Sequence, residues 1–178
     1  MRALGPGSVS SFLKVILDVF FYVLWVSAGI IAAAILGLLL ISFNPGVLSA
    51  ALKIDSLHLQ TPNAVPIATA VVAGVELYLV GVILIVGRLR RIFATTMTAG
   101  DPFHPDNVRR LRVIAGVLAL LEVGRYMARG MDHVFLGGVL HIGGGLNLTA
   151  WFAVLVILVL SEVFREGARL RRDAELTI

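Results

Sequence analysis

Cysteine is absent from the 178 residues, so the chain has neither disulfides nor thiolate chemistry. Charge is also scarce: 15% of residues are Asp, Glu, Lys or Arg, against 58% hydrophobic, a balance on the membrane side of the soluble average. Its distribution is sharper than its amount. No Asp, Glu, Lys or Arg occurs between Asp18 and Lys53, only Glu76 interrupts the run from Asp55 to Arg88, and nothing charged lies between Asp132 and Glu162. A bilayer core of about 30 Å needs roughly 20 apolar residues in a helix, and these runs can supply that. The first is too long for a signal-peptide core and lacks a small-residue cleavage site, so it reads as retained.

These runs predict one all-α domain of four transmembrane helices, at about 15–42, 66–87, 111–130 and 149–164. The third span carries Glu122 and Arg125, but spans two and four both end at arginine-rich sequence, so a crossing is required between them. Twelve of the fifteen Lys and Arg residues fall on one predicted side: Arg2, Lys14, Arg88, Arg90, Arg91, Arg109, Arg110, Arg112, Arg165, Arg169, Arg171 and Arg172. Lys53 and Arg129 fall on the other, and Arg125 lies within span three. The positive-inside rule then makes both termini and the loop 88–110 cytoplasmic, and the loops 43–65 and 131–148 extracytoplasmic. It also accounts for the net charge of +4 without a nucleic-acid ligand. Trp151 is expected near the outer interface.

The cytoplasmic loop reads as a tight helical turn. The second helix runs on through "RLRRIFATTMTAG" to Gly100. The next helix starts in "DPFHPDNVRRLR": Pro105 suits the first helical position, Asp106 the first turn, and Phe103 and Val108 have the spacing of a hydrophobic staple. Asp101–Pro102 offers a competing start one turn earlier. Arg109, Arg110 and Arg112 are expected to meet lipid phosphates. On the outer side, "LKIDSLHL" alternates and "HVFLGGVLHI" is β-branched and aromatic, which predicts a small β cap. Asn147 or Thr149 is the expected cap of span four. His58, His133 and His141 lie on that outer face. Their scatter defines no metal geometry, although histidine is the side chain that titrates near neutrality.

Glu76, Glu122 and Arg125 form the intramembrane polar cluster. Counted from the arginine-rich ends of their spans, both glutamates reach a depth of about 15–17 Å. Arg125 follows Glu122 at i, i+3. An isolated charge there costs on the order of 2.5–3.5 kcal/mol, so all three are expected to face inward. Tyr78 and Tyr126 are further candidates to satisfy them. The cluster is read first as a clamp between spans two and three, and second as a proton or ion relay. Lys14 and Asp18 at i, i+4, and Glu162–Arg165 and Glu166–Arg169 at i, i+3, are expected surface pairs. Gly29, Ala32 and Ala33 are small enough for close helix contact in a homo-oligomer. The Gly-rich stretch "GGVLHIGGG" lacks the context of a phosphate loop. No nucleophile–base or metalloprotease pattern is present, so a catalytic role, cofactor or metal is not expected.

Two stretches carry a resemblance. "GDPFHPDNVRRLRVIA" after span two and "EVFREGARLRRDAELTI" after span four resemble a bacterial family of small four-span membrane proteins, the domain-of-unknown-function family numbered twenty-nine seventy-five. The resemblance covers Val65 to the end. It implies an inner-membrane protein encoded beside a small helix-turn-helix regulator, and by analogy a membrane partner that holds or releases such a DNA-binding protein. The residues it singles out as docking candidates are Asp101, Pro102, Phe103, Asn107, Arg109 and Arg110 in the loop, and Phe164, Gly167, Leu170, Glu175, Leu176 and Thr177 in the tail. Three functions are therefore weighed: a sensor or docking partner for a regulator, a small proton-coupled transporter using Glu76, Glu122 and Arg125, and a structural subunit of a membrane complex.

Overall fold

The computed structural model describes residues 9–43, 64–99, 103–135, 137–138 and 145–175. They form four helices: α1 (Val9–Phe43), α2 (Ala64–Ala99), α3 (Pro105–Phe135) and α4 (Leu148–Glu175), with no strand among the described residues. At 1.5 Å per residue, α1 and α2 reach about 52–54 Å, well beyond a hydrocarbon core of about 30 Å. Their ends therefore project past any bilayer they cross. Pro66 is tolerated in the first turn of α2 because the N–H it lacks would have no helical partner there.

Contacts run in opposite senses along successive helices. Asp18 and Phe21 of α1 meet Arg90 and Gly87 of α2. Gly81 of α2 lies against Leu121 of α3, while Arg91 and Thr95 meet Arg110. Arg112 and Tyr126 of α3 meet Glu162 and Trp151 of α4. Each helix is thus antiparallel to the next, and α3 runs between two apolar neighbours. Three helices are long and apolar enough to cross a membrane: Phe12–Phe43, Val65–Met97 and Leu148–Ala174. The expected third span, 111–130, lies in α3, which has the length but not the composition. Glu122, Arg125, Arg129 and Asp132 cluster in its second half.

The described residues divide into two compact units, one from Tyr22 to Val80 and the other comprising those up to Phe21 together with those from Gly81 onward. In the first, Leu24 and Ala28 are buried one turn apart. The hydroxyls of Ser27 and Thr69 donate to the carbonyls of Val23 and Val65 four residues back, at 2.9 and 2.8 Å. Lipid offers a hydroxyl no partner, so the helix supplies its own. In the second unit, Ile83, Val86, Val108, Leu111, Ile114, Ala115 and Val154 form the core. Leu84, Leu120, Val123, Met127, Phe152, Val159 and Val163 stand exposed on its outside. Such apolar exteriors suit lipid rather than water as the surrounding solvent.

The outer segments depart from expectation. His133, Val134 and Phe135, read as the start of a β cap, are the last residues of α3, and Gly137 and Gly138 form a turn with positive φ that returns the Gly138 N–H to the Asp132 carbonyl. The remaining cap segments, with His58 and His141, lie outside the described residues. Of the two candidate caps of α4, Asn147 serves: its Oδ1 accepts the Ala150 N–H at 3.2 Å.

A Cβ built on Gly81 falls 2.5 Å from Leu121 Cδ2 and 2.9 Å from its Cγ, so α2 and α3 approach at that point only because glycine is there. Gly81→Ala is expected to destabilise the protein by up to about 2 kcal/mol, the overpacking cost of roughly 1–3 kcal/mol less a gain in helix propensity of about 1 kcal/mol. In the Leu121→Ala background the same change should lose its penalty. Denaturant titration in detergent micelles reads both steps.

Candidate functional site

The arginine-rich ends of α2, α3 and α4 gather with the start of α1 at one end of the second unit. His104 terminates the turn before α3: its backbone carbonyl accepts the Asn107 N–H at 2.8 Å, and its ring Nδ1 lies 3.3 Å from the Asp106 N–H as a cap. The helix therefore begins at Pro105; Asp101 and Pro102, the competing start, lie outside the described residues. Val108, the expected inner half of the staple, is buried.

Phe103 reaches across to α4. Its ring packs edge-on against Phe164, with centroids 5.4 Å apart and an interplanar angle of 71°, the geometry aromatic quadrupoles favour. It also lies over Gly167, where a Cβ would fall 2.7 Å from Phe103 Cδ1. The loop stretch and the tail stretch, some sixty residues apart in sequence, thus close on each other through three of the residues singled out above. Neither stretch signals the other by spacing. The only sequence hint is a lone glycine in a helix, which often marks a close approach.

Asn107 and Arg110 hold the loop from the inside. Asn107 has no exposed surface. Its Oδ1 accepts from Arg110 Nη1 at 3.1 Å, and the same nitrogen donates to the Arg91 carbonyl at 3.0 Å and to Thr95 Oγ1 at 2.5 Å. Arg110 is therefore a bridge from the start of α3 to the last turns of α2, not the lipid contact expected of it. Arg112, which stays exposed, lies 3.5 Å from Glu162. Glu162 in turn takes Arg165 as its i, i+3 partner, and Glu166 pairs with Arg169 at 3.6 Å, as the spacing predicts. Arg109 is exposed, as is Leu170 at 60%. Glu175 closes α4, and Leu176 and Thr177 fall outside the described residues.

A second bridge went unforeseen. Asp18 does not pair with Lys14. It accepts from Arg90 Nε of α2 at 2.5 Å, while the Arg90 guanidinium stacks 4.4 Å from the Phe21 ring centroid. Local i, i+4 spacing loses here because the Arg90 guanidinium offers a planar donor fork and a stacking surface at a half-buried site.

At the other end of α3, Glu122 is buried and receives both Nε and Nη2 of Arg125, at 3.2 and 2.5 Å. Arg125 also lies 3.4 Å from the Gly145 carbonyl, and its guanidinium stands 4.9 Å from the Tyr126 ring centroid. Tyr126 Oη accepts the Asn147 N–H at 3.0 Å and Trp151 Nε1 at 3.3 Å. Glu122 and Arg125 are thus brought together and tied to the entry of α4, with Tyr126 as the linking side chain. Glu76 belongs to the other unit, where its Oε2 is buried with no hydrogen-bond partner among the described residues. Tyr78 is 55% exposed.

Asn107→Ala removes a fully buried acceptor and should cost about 1–3 kcal/mol in a detergent unfolding titration. Arg109→Ala, two residues on and exposed, should stay within about 0.5 kcal/mol.

No curated protein and no solved structure matches the chain. One family model does, over residues 52–178. The match takes in well over half of the sequence, including the loop stretch, the tail stretch and every residue of the Phe103 and Arg110 contacts. It begins thirteen positions before Val65, inside the segment that precedes α2. The apolar helices make this a membrane protein, and the chain belongs to the family described as protein of unknown function (DUF2975).

Proposed function

We propose that the protein is a docking partner in the cytoplasmic membrane of a bacterium, holding a small helix-turn-helix transcription factor at its arginine-rich end. The observation that carries this reading is the closure of Phe103 on Phe164 and Gly167, which joins the two most distinctive stretches of the sequence into one surface. Arg165 and Arg169 stand exposed beside it, and Leu170 is an exposed apolar anchor on the same tail. Catalysis is not part of the proposal, and the protein meets DNA only through its partner. Orientation follows the bias of Lys and Arg toward this end. The antiparallel placement of α3 between α2 and α4 favours a fourth pass, with the Glu122–Arg125 pair neutralising the charge it carries across.

The test is cross-linking in native membranes, followed by identification of the proteins captured. A DNA-binding protein should be recovered with the wild type, and recovery should fall at least tenfold with Gly167→Leu, which displaces Phe103. Glu122→Gln should leave it unchanged. Capture of no DNA-binding protein by the wild type sinks the reading.

Transport is the second reading, and it rests on Glu76, whose buried Oε2 lacks a partner among the described residues. Intramembrane acids left in this state commonly mark ion pathways. In proteoliposomes under a pH gradient, proton flux that Glu76→Gln abolishes supports it, and flux that the substitution leaves untouched removes it.

A further inference from the structure

At the arginine-rich end, each of five described acids has a cationic partner. Asp18 has Arg90, Asp106 has Arg110, Glu162 has Arg112 and Arg165, and Glu166 and Asp173 share Arg169. Arg91 and Arg109 belong to none of these pairs, and both are exposed. The hydrogen bond from Arg110 Nη1 to the Arg91 carbonyl sets the two at the same level on adjacent helices.

Helical spacing places them on the outside of the α2–α3 pair. Arg109 shares a face with Gly116, Leu120, Val123 and Met127, at offsets of 7, 11, 14 and 18 residues. The last three are 69, 41 and 64% exposed, and a Cβ on Gly116 would meet nothing within 4 Å. Arg91 stands two turns beyond Leu84, itself 47% exposed. Arg91 and Arg109, neither of them paired among the described residues, thus each head an exposed apolar stripe, one on α2 and one on α3, with open space at Gly116. A water-soluble anion would satisfy the charges and leave the apolar face unused, whereas an acidic peptide would have to bury its backbone against hydrocarbon.

We propose that Arg91 and Arg109 form a binding site for an anionic phospholipid, its phosphate held between the two guanidinium groups and its acyl chains lying along Leu84, Gly116, Leu120 and Met127. The site requires membrane insertion but not the docking of a regulator, so the two readings stand or fall separately. Arginine is suited to the task because its planar fork meets phosphate oxygens two at a time.

The experiment is native mass spectrometry of the full chain released from vesicles of phosphatidylcholine mixed with phosphatidylglycerol. Wild-type protein should retain phosphatidylglycerol over phosphatidylcholine by on the order of tenfold to thirtyfold, the combined preference of two interfacial arginines. Arg91→Gln/Arg109→Gln should lose this preference, and Arg165→Gln, whose arginine already pairs with Glu162, should keep it. A photoreactive phosphatidylglycerol, used on the wild type alone, should label peptides spanning 84–91 and 109–127. Unchanged preference in the double variant, labelling confined to other helices, or equal displacement of the lipid by millimolar inorganic phosphate would each overturn the site.

Discussion

A single guanidinium, that of Arg110, fastens the reversal between α2 and α3. One of its nitrogens reaches a backbone carbonyl and a hydroxyl on α2 and a buried amide on its own helix. Charge-assisted hydrogen bonds of this kind are roughly twice as strong as neutral ones. The site is half-buried, so water competes poorly for these partners. Once Arg110 is held, the rest of the end follows. Asn107 is fixed beneath it, Phe103 is carried toward α4, and Arg109 is turned outward at the level of Arg91.

The same demand for partners explains the rest of the polar inventory. Arg90 answers Asp18 and lies against Phe21, which ties α1 to α2 where both leave the apolar region. Arg125 answers Glu122 and touches the chain entering α4. Each contact replaces hydration that a lipid-facing helix cannot obtain. Glu76 is the described exception in its unit, and it is the residue on which a transport role would have to rest. In a fold whose exterior is apolar, a buried oxygen without a donor stands out more than it would in water.

Glycine has two distinct uses here, neither of them flexibility. Gly81 lets α2 approach Leu121, and Gly167 lets α4 receive the face of Phe103. Both are absences of a side chain at a contact, so substitution is resisted from across the interface and not by the helix itself. Gly137 and Gly138 are the other kind, with φ values of 63° and 80° in the turn that closes α3. The first pair shapes the bundle, and the second ends a helix.

Much of this was legible in the residues. Long uncharged runs dictated apolar helices, because the backbone has no other way to satisfy itself in hydrocarbon. Pro105 and Asp106 marked the start of α3, and the i, i+3 spacings predicted the pairs of Glu122, Glu162 and Glu166. These readings rest on local geometry, which spacing along a helix encodes directly. The β-strand reading of His133–Phe135 failed because β-branched and aromatic residues next to a helix continue it when its packing does. Only the tertiary structure decided the rest: that Asp18 prefers Arg90 over Lys14, that Arg110 is internal while Arg109 is not, and that Phe103 closes on Gly167. Each is a choice among partners distant in sequence, made by the angular registry of antiparallel helices, and nothing in the linear order of side chains ranks those partners.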